Sequence, residues 1–463
     1  MQIRPCERLI GVLVCVLFIA FTQAVSAQGN NSGHLAIVGG YLIDGQEGVP
    51  IQNSVILVEG DRITHVGTVS DTEIPSDAKV INANGYTVLP GLSDAHAHLF
   101  IVGHGIYDEY FPRYQGRWRE IMPISARQLL MAGVTNARDV AGPLEESIWI
   151  KNEIDEGRLV GPRLFVSGPF LQKSLPSGGG PNYDARHQAF FRWTVDGPED
   201  ARRKARKLID AGVDLLKVIQ LNQLTSEERL AIADEARKAG LHIAVHAGST
   251  EEIRYAAEMG VGSIEHVGGR LRNTGYDDEA VRLMADNRIS WVPTVIHNLL
   301  IDVVEEDPER LDNQQLKRDL PPDIYEDVRE SFQFPSRLGY FFNDREEDRK
   351  YGSKVRQLYD AGVRIVVGTD SGTPMNFHYE ATWQEMDLLV KYGIPPIKVI
   401  SMATRYPALL YGAYQDLGTI EPGKLADIII VNGNPLRHMS ALQQNNVIYV
   451  IKGGIQYKGP DLP

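Results

Sequence analysis

Residues 198–268 read PEDARRKARKLIDAGVDLLKVIQLNQLTSEERLAIADEARKAGLHIAVHAGSTEEIRYAAEMGVGSIEHVG. Two kinds of segment alternate in this stretch. PEDARRKARKLIDAG (198–212), SEERLAIADEARKAG (226–240) and STEEIRYAAEMG (249–260) read as helices, each closing on the glycine that a helix C-terminus favours. DLLKVIQ (214–220), LHIAVHAG (241–248) and SIEHVG (263–268) are short apolar runs that read as strands. A repeated unit of helix, glycine and apolar strand predicts a parallel sheet with helical crossovers, either a barrel or a doubly wound sheet.

The unit continues in both directions. VTNARDV (134–140), LEESIWIKNEID (144–155) and RLFVSG (163–168) precede the stretch, and DEAVRLMADN (278–287), ISWVPTVI (289–296), GSKVRQLYDAG (352–362) and RIVVGTDSG (364–372) follow it. Strands near 96, 138, 166, 217, 246, 266, 294 and 368 make eight, the number a (β/α)8 TIM barrel requires. Both chain ends differ in style. HLAIVGGYLID (34–44), SVILVEGDRITHVG (54–67) and KVINANGYTVLPG (79–91) match KLADIIIVNGNP (424–435) and NVIYVIKGGIQYKG (446–459) as strands broken by Gly, Asp and Asn. The expected organisation is α/β: a barrel over 91–417 and a small β-sandwich formed by 28–90 with 418–463. The 70-residue gap between strands seven and eight contains a charge-dense segment, 302–348. It reads either as a solvated helical insertion or as a lid over the barrel mouth.

Of the 463 residues, 47 are Lys or Arg and 60 are Asp or Glu, a net charge of −13. That balance excludes a general nucleic-acid binder, which needs a basic face. Residues 1–27 read as a secretory signal: Arg4 and Arg8 precede the apolar run 9–21, and Val25-Ser26-Ala27 offers a cleavage site. The run is short for a membrane span, so the expected product is exported, periplasmic or secreted, without stable membrane insertion. Cleavage would remove both cysteines, Cys6 and Cys15, and shift the charge to −14.

The chemistry concentrates at strand ends. In LPGLSDAHAHLF (89–100) His96 and His98 are two apart, so both project to one strand face. Lys217, His246, His266 and Asp370 fall at or near the ends of later strands, where side chains converge in a barrel. His and Asp are ordinary ligands for zinc-like ions. Lys217 is surrounded by apolar residues, where a bare ammonium is costly. Its amine can add carbon dioxide to become a carbamate that bridges two metals. Alternatively it pairs with a carboxylate, and the site then holds one metal.

This ordered set, together with LPGLSDAHAH (89–98), AGVTNARDV (132–140), AGVRIVVGTDSG (361–372), VISMATRYPALLYG (399–412) and GTIEPGKLADIIIVNGNP (418–435), resembles the amidohydrolase superfamily. The similarity is to the branch of imidazolonepropionase-related proteins and metal-dependent Xaa-Pro dipeptidases. The resemblance implies that His96, His98 and Asp370 hold one divalent ion and His246 and His266 a second. Both ions would be zinc, with N6-carboxylated Lys217 and a hydroxide between them. It further implies hydrolysis of a carbon–nitrogen bond, with Asp370 as the catalytic proton carrier and a dipeptide or N-acyl amino acid as substrate. The same machinery also serves a lactone, an ester or a phosphotriester.

Two departures bear on substrate. Ser249 stands three residues after His246, where deaminase and imidazolonepropionase relatives carry a Glu. KVIQLNQ (217–223) replaces the glycine-rich stretch that often follows the lysine, and PSGGGP occurs instead at 176–181. His297 and His104 are candidate substrate contacts on the barrel rim, with His187 and His378 on nearby loops, while His242 lies at the opposite strand end. Arg138, Arg186 and Arg192 are candidates for a substrate carboxylate, although Arg138 also reads as half of a buried ion pair with Asp139. A small-molecule substrate and a homo-oligomer are the expected partners.

Overall fold

The computed structural model describes residues 33–173, 189–267, 275–297, 299, 308–333 and 351–462. The expected signal segment, the PSGGGP stretch, Arg186 and His187 lie outside the described residues, as do 302–307 and 334–348 of the insertion.

The first five strands are β1 (His34–Leu42), β2 (Ile51–Glu59), β3 (Arg62–Thr68), β4 (Lys79–Asn82) and β5 (Thr87–Pro90). The barrel region follows with β6 (Leu92–Ala97), β7 (Val134–Asp139), β8 (Arg163–Val166), β9 (Phe170–Lys173), β10 (Arg192–Val195), β11 (Leu215–Val218), β12 (His242–His246), β13 (Ser263–Glu265) and β14 (Ser290–Val292). The chain ends with β15 (Ile428–Val431), β16 (Val447–Lys452) and β17 (Ile455–Lys458).

The parallel strands form a TIM-barrel-like α/β arrangement, but regular pairing does not close it. Among the described residues one ladder runs β6-β7-β8 and another β10-β9-β11-β12-β13-β14. The expected third strand is split: β8 pairs with β7, the chain turns at left-handed Gly168 (φ 61°), and β9 pairs with β11. Two bonds between the same residues span the gap, Asp214 N–H to the Val166 carbonyl at 2.9 Å and Val166 N–H to Asp214 Oδ2 at 2.8 Å.

Two expectations need correction here. The seventh strand stops at Val292, before Thr294, whose φ is 49°. The eighth is not a regular strand. Segment 364–371 makes isolated parallel bridges, Ile365 to Trp291 and Ser371 to Ala97. Backbone bonds still tie it to both neighbours, with Val366 N–H to Trp291 O at 2.8 Å and Asp370 N–H to His96 O at 2.7 Å. Gly368 explains the tight approach, because a Cβ there would lie 2.9 Å from the His96 nitrogen.

Helices cover the outside. In Pro198–Asp210 the buried Ala201, Ala205 and Leu208 fall at helical spacing and turn one stripe inward. Ser226–Ala239 begins with a Thr225/Glu228 capping box and Thr250–Met259 with a Ser249/Glu252 one.

The terminal strands form one eight-stranded sheet, in the order β17-β16-β15-β5-β1-β2-β3 with β4 on β1, rather than a two-sheet sandwich. The reason lies in β1. Its register shifts around Gly39 and Gly40, so its first half pairs with β4 and its end with β5. Gly40 admits no side chain, since a Cβ would meet Val88 at 2.5 Å. Both chain ends share this sheet's core, which includes Ile37, Ile56, Val88, Ile428, Ile430 and Ile451.

The described part of the insertion contains helices Gln314–Asp319 and Pro322–Ser331. Leu316, Ile324, Val328 and Phe332 are buried in the main core. Polar contacts fasten the same piece to the first barrel loop and helices: Gly105 N–H donates to Ser331 Oγ at 2.9 Å and Tyr114 Oη to Asp327 at 2.9 Å. An ion pair joins Arg310 to Glu380. Among the described residues no helix is long and apolar enough to cross a membrane.

Candidate metal centre

Strand alternation carries Asp94 and His96 to one face of β6, and His98 follows its last residue. Lys217 comes from β11, His246 ends β12, His266 follows β13, and Asp370 ends the eighth segment. Asp370 joins them. Its Oδ1 lies 2.9 Å from His98 Nε2 and 3.5 Å from His96 Nε2, and its Oδ2 lies 3.8 Å from His266 Nδ1 and 3.5 Å from His297 Nδ1. The His246 and His266 ring centres are 4.7 Å apart, and those of His96 and His266 4.6 Å. His266 and Asp370 both sit in the left-handed region, at φ 71° and 60°. Such a conformation costs about 1–3 kcal/mol for a non-glycine residue and collects at functional sites.

A divalent ion fits this donor set. Ligand atoms of His96, His266 and Asp370 lie within 4.8 Å of one another. Burial holds the imidazoles of His96 (about 3), His246 (about 4) and His266 (well below the ordinary value) neutral, with Lys217 adding to the effect on each. Neutral imidazole is the form that ligates. Burial alone would raise Asp370, but His297, His96 and His98 pull it well below the carboxylate range, so it presents an anion. Lys217 is 3% exposed and its Nζ has no hydrogen-bond partner among the described residues. Burial lowers it to about 8, against the raising influence of Glu265 and Asp370. A buried nitrogen with nothing to bond is expensive unless something else engages it.

Glu265 is the central residue that sequence reasoning missed. Its Oε2 is 2.7 Å from His96 Nδ1, and its Oε1 accepts from Ser263 Oγ at 2.5 Å and Arg138 Nη2 at 2.8 Å. It is fully buried, yet Arg138 and His96 keep it below the ordinary carboxylate range. It therefore accepts a hydrogen bond from His96 Nδ1–H and leaves the Nε2 lone pair facing Asp370. Asp94 was missed too. It accepts from the backbones of His96 and Thr369 at 3.1 Å each and from Thr369 Oγ1 at 2.6 Å, which pins β6 to the eighth segment. Glu385 accepts from Val295 and Ile296 N–H at 3.0 and 2.7 Å and so fixes the turn that presents His297.

The three rim candidates separate. His297 joins the group: its Nδ1 reaches Thr373 Oγ1 at 3.0 Å as well as Asp370. His104 instead faces the insertion, with Nε2 3.1 Å from Asp327 and Nδ1 accepting from Ile106 N–H. Arg138 is 2% exposed and differs from the expected substrate contact, because its guanidinium is spent on Glu265, Ser263 and the Ala95 carbonyl. Its ion-pair partner is Glu265 rather than Asp139, whose carboxyl burial raises to about 7. Of the outlying histidines, His378 Nε2 donates to the His98 carbonyl at 3.1 Å, and His242 is exposed at the other end of β12. Arg192 lies over the Phe170 ring at 4.8 Å.

Two results are expected from this wiring. Glu265→Gln should weaken metal binding about 10- to 100-fold, read by competition with a chelator. Arg138→Met should leave the Glu265 carboxylate buried without its cationic partner, lowering stability in urea titration by about 3–5 kcal/mol.

Comparison with known proteins agrees with the architecture. The model of the amidohydrolase family matches residues 87–456, so the chain belongs to that family of hydrolases acting on carbon–nitrogen bonds. Imidazolonepropionase from Geobacillus kaustophilus (strain HTA426) is 24% identical over 447 residues, 87% of this chain and 90% of that protein. The crystal structure of a Xaa-Pro dipeptidase with bound methionine in its active site superposes with a TM-score of 0.73 at 27% identity, covering 92% of this chain and 100% of the other. A. niger ochratoxinase shares the fold, with a TM-score of 0.74 at 23% identity over 93% and 97% of the two chains.

Proposed function

We propose that the protein hydrolyses the amide bond of a dipeptide or N-acyl amino acid at a centre of two divalent ions, most readily zinc. The carrying observation is one buried carboxylate, Asp370, facing His96, His98, His266 and His297, with the unpartnered Lys217 nitrogen in the same interior. In this reading His96, His98 and Asp370 would hold one ion and His246 and His266 the other, and Lys217, as its carbamate, would supply a further anionic ligand. Carbamate formation joins the neutral Lys217 amine to carbon dioxide and releases one proton. The ions, when bound, polarise the scissile carbonyl and bring water ionisation toward neutral pH. Asp370 takes the proton of the attacking water and returns it to the leaving nitrogen. His297, which also contacts Thr373 Oγ1, orients that carboxylate.

Several features support amide over ring deamination. Ser249 stands where a deaminase-like Glu would be, its side chain caps the helix Thr250–Met259, and Glu252 is engaged in the same capping box. The likeness to a Xaa-Pro dipeptidase structure points the same way. Export through residues 1–27 belongs to this reading as well.

The test is a hydrolysis screen of zinc-loaded protein against dipeptides and N-acyl amino acids, with lactones and phosphotriesters alongside. Faster turnover of every lactone than of any amide would overturn the amide reading. Metal analysis bears on the centre separately: less than about one ion per chain, with no activity gained on adding zinc, would sink it.

A further inference from the structure

The helices ending at Met131, Asp155, Asp210, Ala239, Met259, Asp360 and Lys391 are each followed within two residues by a glycine with φ between 66° and 92°. The helix Asp278–Asp286 departs from this pattern. Its left-handed residue is Arg288, at φ 54°. The closure is otherwise the same: Arg288 N–H bonds the Ala285 carbonyl at 3.1 Å and Ile289 N–H the Met284 carbonyl at 2.9 Å, as Gly362 and Val363 do with Tyr359 and Leu358. A side chain at this position is strained where glycine is not. Strain retained at one of eight equivalent helix ends points to a use for the side chain itself.

Arg288 lines a cleft of about 460 Å³ at the N-terminal end of the barrel strands, the face opposite the metal centre. Arg364, at the start of the eighth segment, lines the same cleft. Neither guanidinium has an ion-pair or hydrogen-bond partner among the described residues. Lys398, the third cation there, is tied to Glu47. Among the described residues no carboxylate lines the cleft, and its accessible apolar lining is Ala285, Tyr359, Tyr406 and Leu409, backed by the buried Met284, Ile289, Val363 and Met402. The volume is within the range of small-molecule sites. Two forked cations above an apolar floor match a ligand with one planar anionic end and one hydrocarbon end.

We propose that this cleft binds a free fatty acid, its carboxylate between Arg288 and Arg364 and its chain against Ala285, Tyr359, Tyr406 and Leu409. Charge and chain contribute together, so a ligand with only one of them binds poorly.

Calorimetry on the full, metal-loaded chain tests this with decanoate, decanol and acetate. Decanoate is expected to bind about tenfold or more tightly than either of the others. Arg288→Gly and Arg364→Gln should each weaken decanoate about fivefold or more, with hydrolysis at the metal centre unchanged. Arg288→Gly should also raise Tm by about 1–2 °C as the strain is relieved. Equal binding of decanol or acetate, no decanoate binding below its micelle concentration, or undiminished binding in Arg288→Gly would overturn the proposal. A lower Tm for Arg288→Gly would do so too, because the side chain would then serve the fold. If Arg364→Gln does not fold, Arg288→Gly decides alone.

Discussion

Asp370→Asn is expected to reduce kcat/KM for amide hydrolysis by about 10³-fold or more while leaving the fold intact. The substitution keeps the size and most of the hydrogen bonding of the side chain. It removes the charge that His96, His98 and His297 share, and the group that carries the proton. The effect should fall on kcat rather than KM, because proton transfer belongs to the transition state more than to substrate binding. Unchanged circular dichroism with activity within about tenfold of the native chain would remove Asp370 from this role.

The second large effect is expected at Lys217. Lys217→Ala should lower bound metal from two ions toward one or none and cut activity by about 10³-fold, since no other anion takes the bridging position. The cavity left by the side chain gives a short carboxylic acid room to enter. Acetate or propionate should therefore restore part of both metal content and activity, and propionamide, the same shape without charge, should restore neither. Loading metal-free native protein under carbon-dioxide-free buffer should likewise stop short of two ions. Full metal content in Lys217→Ala without added acid would show that the lysine pairs with a carboxylate instead, Glu265 and Asp370 being its charged neighbours.

Much of this site was legible before any coordinates. Periodicity placed His96 and His98 on one face, and the helix–glycine–strand rhythm carried Lys217, His246, His266 and Asp370 to strand ends. Glu265 escaped because it was read as part of an apolar strand. The reasoning that singled out Lys217, a charge where apolar neighbours make it costly, applies equally to Glu265 and would have flagged it. Asp94, two residues before His96, repeats the alternation that revealed the histidines. Arg138 misled for a different reason: sequence shows that a guanidinium sits near a strand end but not whether it is already satisfied, and here Glu265, Ser263 and Ala95 satisfy it.

In the fold, alternation and glycine spacing identified the two architectures but not the irregularities. The eighth segment carries the strand-like run RIVV, yet Gly368 and the left-handed Asp370 break its pairing so that the carboxylate turns inward. The single sheet replaced the expected sandwich because β1 changes partner midway, a consequence of packing at Gly40 against Val88 that no strand pattern encodes.

The pairing of β5 with β15, Thr87 to Val431 and Pro90 to Ile428, also sets an order of assembly. During synthesis the N-terminal sheet waits with an open edge at β5 until more than 300 further residues have emerged. That edge is apolar and free to recruit another chain. A product truncated before Ile428 should therefore aggregate through its N-terminal strands even when the barrel region is complete, and β15, with β16 and β17 behind it, acts as the chain's own protection against self-association.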